Sequence, residues 1–73
     1  MQKQTFIGNM KARGYALRCG HNGNITATKG DLTVRLVPLA NYSVYINTPT
    51  VKAITQKGTT DEETLRVIDG LTA

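Results

Sequence analysis

Two tight-turn signals, each flanked by segments of alternating apolar residues, constrain this chain more than any other feature. One is Asn22-Gly23, inside His21-Asn22-Gly23-Asn24; the other is Gly30-Asp31. Asn and Gly tolerate the positive φ that a two-residue hairpin turn demands, and Gly at the first turn position suits type II′. A connection this short joins only antiparallel strands, because a parallel pair needs a long crossover. The flanks have the strand period. Tyr15, Leu17 and Cys19 alternate with Ala16 and Arg18; Ile25 to Lys29 and Leu32 to Val37 follow the same rule. Pro38 stops the third strand, since it has no N–H to give the ladder. After Leu39-Ala40-Asn41, alternation resumes over Tyr42 to Ile46. Asn47-Thr48-Pro49-Thr50 reads as a loop, and Val51 to Gln56 as a fifth strand whose alternation Ala53-Ile54 breaks.

A helix is expected at each end. Over Gln2 to Arg13, Phe6, Ile7 and Met10 form one apolar stripe. Lys11 and Arg13 suit the negative end of its dipole, and Gly14 suits the left-handed residue that ends it. Near the other terminus Thr60-Asp61-Glu62-Glu63 has the form of a capping box. Leu65, Val67, Ile68 and Leu71 supply an apolar stripe, and Gly70 is expected to close the helix. The predicted fold is a single α+β domain over residues 1–73. It is a four- or five-stranded antiparallel meander with an N-terminal and a C-terminal helix on one face.

Strand parity then assigns the faces. Tyr15, Leu17, Cys19, Ile25, Ala27, Leu32, Val34, Leu36, Tyr42, Val44 and Ile46 are expected to point inward. Arg18, Thr26, Thr28, Thr33, Arg35, Ser43 and Tyr45 are expected outward, with Lys52 joining them if the fifth strand forms.

A chain of 73 residues buries only about 60% of the surface its unfolded form exposes, so stability needs every contact it can make. The single cysteine, Cys19, cannot form an intramolecular disulfide; it reads as a small buried hydrophobe and fits a reducing compartment. With no apolar leader and no run of ~18 apolar residues, a cytoplasmic protein without membrane contact is expected.

Charge is divided along the chain. Residues 1–60 hold eight basic groups and one acid, Asp31, a net +7; residues 61–73 hold Asp61, Glu62, Glu63 and Asp69 against Arg66, a net −3, and the total is +4. The acids are sufficiently explained by the helix start they occupy. The basic body points to a polyanion or an acidic protein surface as partner. The candidate binding face is Arg18, Arg35, Tyr45 and Lys52, with Lys11, Arg13, Lys29 and Lys57 able to add to the same field. Arginine and lysine pair phosphates, hydroxyls donate to them, and Tyr45 can stack on a base. A competing explanation is that solvent-facing strand positions carry Arg, Lys and Thr to block aggregation. Aromatic rings are few, only Phe6, Tyr15, Tyr42 and Tyr45, which is thin for an RNA-binding sheet.

Chemistry is hard to place. Cys19 and His21 are two ligands where zinc needs four, and no third group orients them as nucleophile and base. Gly20-His21-Asn22-Gly23 lacks the Gly-Lys-Ser/Thr ending of a phosphate loop. No cofactor is expected and no catalytic residue is assigned. The expectation is a non-catalytic binding module that takes nucleic acid on a basic sheet face. Two alternatives stand beside it. One is a protein-binding inhibitor or adaptor, of the size and shape common among accessory and anti-defence proteins of phages and mobile elements. The other is a homo-oligomer in which the basic sheet of one copy meets the acidic helix of another.

Overall fold

A computed structural model describes residues 1–50, 54–56 and 59–72. Two helices and five strands follow in the order α1 (Lys3–Ala12), β1 (Ala16–Cys19), β2 (Ile25–Lys29), β3 (Leu32–Val37), β4 (Ser43–Asn47), β5 (Ile54–Gln56) and α2 (Asp61–Thr72). The strands form one antiparallel sheet in sequence order, β1-β2-β3-β4-β5. This is the expected α+β meander with five strands. The part of the expected fifth strand before Ile54 lies outside the described residues.

Helix α1 ends as its sequence dictates. Gly14 takes φ +83°. The Gly14 N–H donates to the Lys11 carbonyl at 3.0 Å, and the Tyr15 N–H donates to the Met10 carbonyl at 3.0 Å. This pair of bonds is a Schellman motif, with the residue after the glycine packing against the last buried helical turn. Tyr15 and Met10 are both buried. The motif therefore delivers the chain into the core just before β1.

Both turns form at the expected residues, the first as a five-residue connection, Gly20–Asn24, rather than a two-residue one. Lys29 pairs with Leu32 across Gly30-Asp31, with Gly30 at φ +59°. Cys19 pairs with Ile25. The segment between them winds into a 3₁₀ turn over His21–Gly23, with Asn22 at φ 59° and Gly23 at φ +75°. The Gly20 N–H closes this loop on the Asn24 carbonyl at 2.8 Å. Helix α2 starts at the predicted cap: the Glu63 N–H donates to the Thr60 hydroxyl at 3.1 Å. Such a cap contributes about 1 kcal/mol. The Thr64 hydroxyl adds a bond to the Thr60 carbonyl at 3.1 Å.

The core comprises Phe6 and Met10 of α1, Ile68 of α2, Tyr15, and the inward set Ile25, Ala27, Leu32, Val34, Leu36, Val44 and Ile46. Both helices thus cover the same face of the sheet. Five expectations change. Cys19 is exposed rather than buried, because it ends an edge strand with no neighbour beyond it. Tyr42 is exposed and sits at φ 55°; the 3₁₀ turn Pro38–Ala40 and a left-handed Asn41 break the pleat before β4. Ser43, expected outward, is buried, and its hydroxyl donates to the Ala40 carbonyl. Helix α2 runs through Gly70 to Thr72, with the Thr72 hydroxyl bonding the Asp69 carbonyl at 3.1 Å. Leu71 is exposed, and the buried line of α2 is Thr64 and Ile68, flanked by Leu65 and Val67.

Candidate functional site

Antiparallel register turns the outward residues into ordered rows. Arg18 lies opposite Thr26, Thr26 opposite Arg35, Arg35 opposite Tyr45, and Tyr45 opposite Thr55. One straight row therefore crosses all five strands: Arg18–Thr26–Arg35–Tyr45–Thr55. At ~4.8 Å between neighbouring strands it is ~19 Å long. A second row, Ala16–Thr28–Thr33–Asn47, lies beside it. Directly opposed positions have side chains within reach of one another. The Arg35 Nε–H points at the Thr26 hydroxyl, 3.4 Å away, a long contact that lays the guanidinium along the row. Arg18 and Arg35 are exposed and Tyr45 and Thr26 are half-buried. At the β1 end of the row a shallow depression of about 280 Å³ is lined by Ala16, Leu17, Arg18, Thr26 and Thr28.

The other predicted cations lie elsewhere. Arg13 reaches α2 in a two-pronged ion pair, with Nε 2.7 Å from Asp69 Oδ1 and Nη2 3.0 Å from Asp69 Oδ2. Its third nitrogen holds the Asn9 side chain at 3.0 Å. The paired guanidinium lowers the Asp69 carboxyl below its usual value, mainly through this hydrogen bond. Asp69 sits in the last turn of α2, where the helix dipole disfavours an anion, so Arg13 offsets a local cost. Lys29 donates to the Arg13 carbonyl at 2.7 Å and lies 5.6 Å from the centroid of the Tyr15 ring. Burial raises the Tyr15 phenol above its ordinary value. Lys11 is exposed on α1. These three cations belong to the helix-bearing side. Lys52 and Lys57 lie outside the described residues.

The acids also lie away from the row. Asp61 is 3.8 Å from the Met1 amine, Glu62 is 3.8 Å from Arg66, and Asp69 pairs Arg13. Among the described residues neither Arg18 nor Arg35 has an ion-pair partner. No group of three or more His, Cys, Asp or Glu among them could hold a metal, and no described helix is long and apolar enough to cross a membrane.

No family model, curated protein or solved structure matches the chain.

Sequence reasoning found Arg18, Arg35 and Tyr45 but not their collinearity, which depends on loop lengths. The five-residue connections at Gly20–Asn24 and Pro38–Tyr42 and the two-residue Gly30-Asp31 turn set that register. It also missed Leu39, among the described residues the most exposed large apolar one at 76%. Leu39 lies in the same strand-connecting loop as Tyr42. A lone leucine between Pro38 and a turn carries no periodic signal.

Proposed function

We propose that the protein is a non-catalytic binding module whose open sheet face takes a polyanion, nucleic acid first. The observation that carries this reading is the position of Arg35. Charge on a strand is ordinarily explained as protection of a sheet edge. That explanation covers Arg18, which is on edge strand β1, but not Arg35, which is on β3 with two strands on either side. An unpaired arginine at the centre of an acid-free face, in line with a second arginine, a tyrosine and threonine hydroxyls, supplies the groups that contact phosphates and bases. An acidic protein surface offers the same charge with less regular spacing. A homo-oligomer through α2 is less favoured, since three of its four acids, Asp61, Glu62 and Asp69, already face a cation.

A salt titration tests the reading. Two phosphate contacts, from Arg18 and Arg35, give a log–log slope of about −1.8 on duplex DNA or about −1.4 on a single strand, steeper if lysines join. Arg18→Ala with Arg35→Ala is expected to flatten that slope and weaken binding at every salt concentration. No binding of mixed-sequence DNA or RNA even at low salt overturns the proposal, because electrostatic attraction is strongest there. One observation favours a second reading. Leu39, exposed in the β3–β4 loop that also holds the left-handed Tyr42, is an apolar side chain such as an inhibitor or adaptor would present to a protein. A partner bound without salt dependence and released by Leu39→Ser would mark that reading instead.

A further inference from the structure

We infer that the occupant of the open face is single-stranded nucleic acid, laid across the strands along the Arg18–Thr26–Arg35–Tyr45–Thr55 row with one base stacked on Tyr45. This rests on the polyanion reading above and narrows it.

Shape excludes the alternative of a duplex read in its groove. A major groove ~12 Å wide admits one helix or a two-stranded ribbon. The row spans five strands, ~19 Å, and both helices lie on the opposite face, with Phe6, Met10 and Ile68 in the core. Nothing in the row is longer than an arginine side chain. A duplex could only rest its phosphates on this face, and Tyr45 would then meet no base.

A single strand uses every member of the row. Tyr45 stands directly opposite Arg35 on one side and Thr55 on the other. A ring beside a cation is the unit that stacks an unpaired base and holds its phosphate, and stacking tolerates any sequence because every base has a π-face. Arg35, the central cation, takes the phosphate next to that base. The Thr26 hydroxyl is its neighbour in the row. At the β1 end the depression lined by Ala16, Leu17, Arg18, Thr26 and Thr28 gives the strand a second seat, with Arg18 on its rim as the second phosphate contact. The row length corresponds to a site on the order of four nucleotides, at the short end for single-strand-binding domains.

The test uses fluorescence anisotropy at low salt with four eight-unit probes: mixed-sequence single-stranded DNA, single-stranded RNA, an abasic sugar-phosphate strand, and a blunt DNA duplex. The parent protein is expected to bind at least one base-bearing single strand roughly five- to a hundredfold tighter than the abasic strand. Tyr45→Ala should abolish that difference while leaving abasic binding unchanged, and Tyr45→Phe should keep it. Equal binding of base-bearing and abasic strands, with Arg35→Ala weakening both, overturns the stacking proposal and leaves the polyanion face standing. A duplex bound more tightly than either single strand also overturns it. No binding of any probe removes both. If Tyr45→Ala fails to fold, the parent's ratio of base-bearing to abasic affinity decides alone.

Discussion

The two faces of the sheet put the same residue type to opposite uses. On the helix-bearing side Arg13 is held by Asp69 and Asn9, and Lys29 caps the Arg13 carbonyl. Arg13, Lys29 and Asp69 there each close on another part of the chain. On the open side Arg18 and Arg35 have no ion-pair partner among the described residues, and Arg35 makes a long approach to Thr26. The first arrangement ties two helix ends together. The second leaves its charge exposed to solvent. An arginine's role in this small domain is therefore decided by which side of one sheet it occupies, and parity along a strand sets that side.

Breaking the covered face should have the largest effect. Phe6 is fully buried and joins α1 to the sheet core. Phe6→Ala is expected to cost about 3–5 kcal/mol, a large share of what a domain this size has. Urea unfolding followed by circular dichroism measures it, and the variant should be largely unfolded before the parent begins its transition. A cost under about 1 kcal/mol would mean that α1 does not pack where the structure puts it.

The same contrast separates what the sequence revealed from what it withheld. Local chemistry was legible. Gly14 ends α1, Thr60 caps α2, and Asn22-Gly23 and Gly30-Asp31 turn the chain, because each needs only a residue's own φ preference or a hydroxyl three residues away. Parity was legible where a strand runs unbroken, so Leu32, Val34 and Leu36 are buried and Arg35 is not. It failed at Tyr42 and Ser43, where the left-handed Asn41-Tyr42 pair resets the count. It failed at Cys19, because inward parity on an edge strand does not guarantee that anything lies above. The pairing of Arg13 with Asp69 spans 56 positions, and no periodicity reports a contact that only the finished fold creates. For the candidate site, the residues were visible as outward positions, whereas the row across five strands depended on the loops.

An intermediate effect should come from the Arg13–Asp69 pair, and its pH dependence has a definite sign. The folded-state Asp69 carboxyl is lowered below its ordinary value of 3.8, first by the Arg13 hydrogen bond. Its contribution is therefore fully present above that ordinary value and is lost as pH falls through the lowered one. With Asp69 52% and Arg13 27% exposed, solvent screening keeps the contribution below about 1 kcal/mol. Asp69→Asn should lower stability by that amount at neutral pH. It should also make stability fall less steeply than the parent's as pH drops through and below 3.8. Urea midpoints for both proteins at neutral and strongly acidic pH measure this. Parallel pH profiles would show that the pair does not persist in solution.

The smallest effect on stability is expected from the open face, and it sharpens the comparison most. Arg18→Ala combined with Arg35→Ala removes two exposed side chains whose one polar partner among the described residues is the Thr26 hydroxyl, 3.4 Å from Arg35 Nε. Surface changes of this kind usually fall within about 0.5 kcal/mol. The two positions lie two strands apart, so their effects on folding should add. If the arginines served only to keep the sheet from aggregating, the double variant should lose solubility and nothing else, and Arg18 alone should account for that loss, since only it lies on an edge. If they form a binding face, the double variant should stay monodisperse and melt with the parent while its affinity for nucleic acid falls. Arg35→Ala should then weaken binding at least as much as Arg18→Ala, because Arg35 lies at the middle of the row, directly opposite Tyr45. A melting point lowered as far as that of Asp69→Asn would show that Arg35 supports the fold, and the division between a face that closes on itself and a face left open would no longer hold.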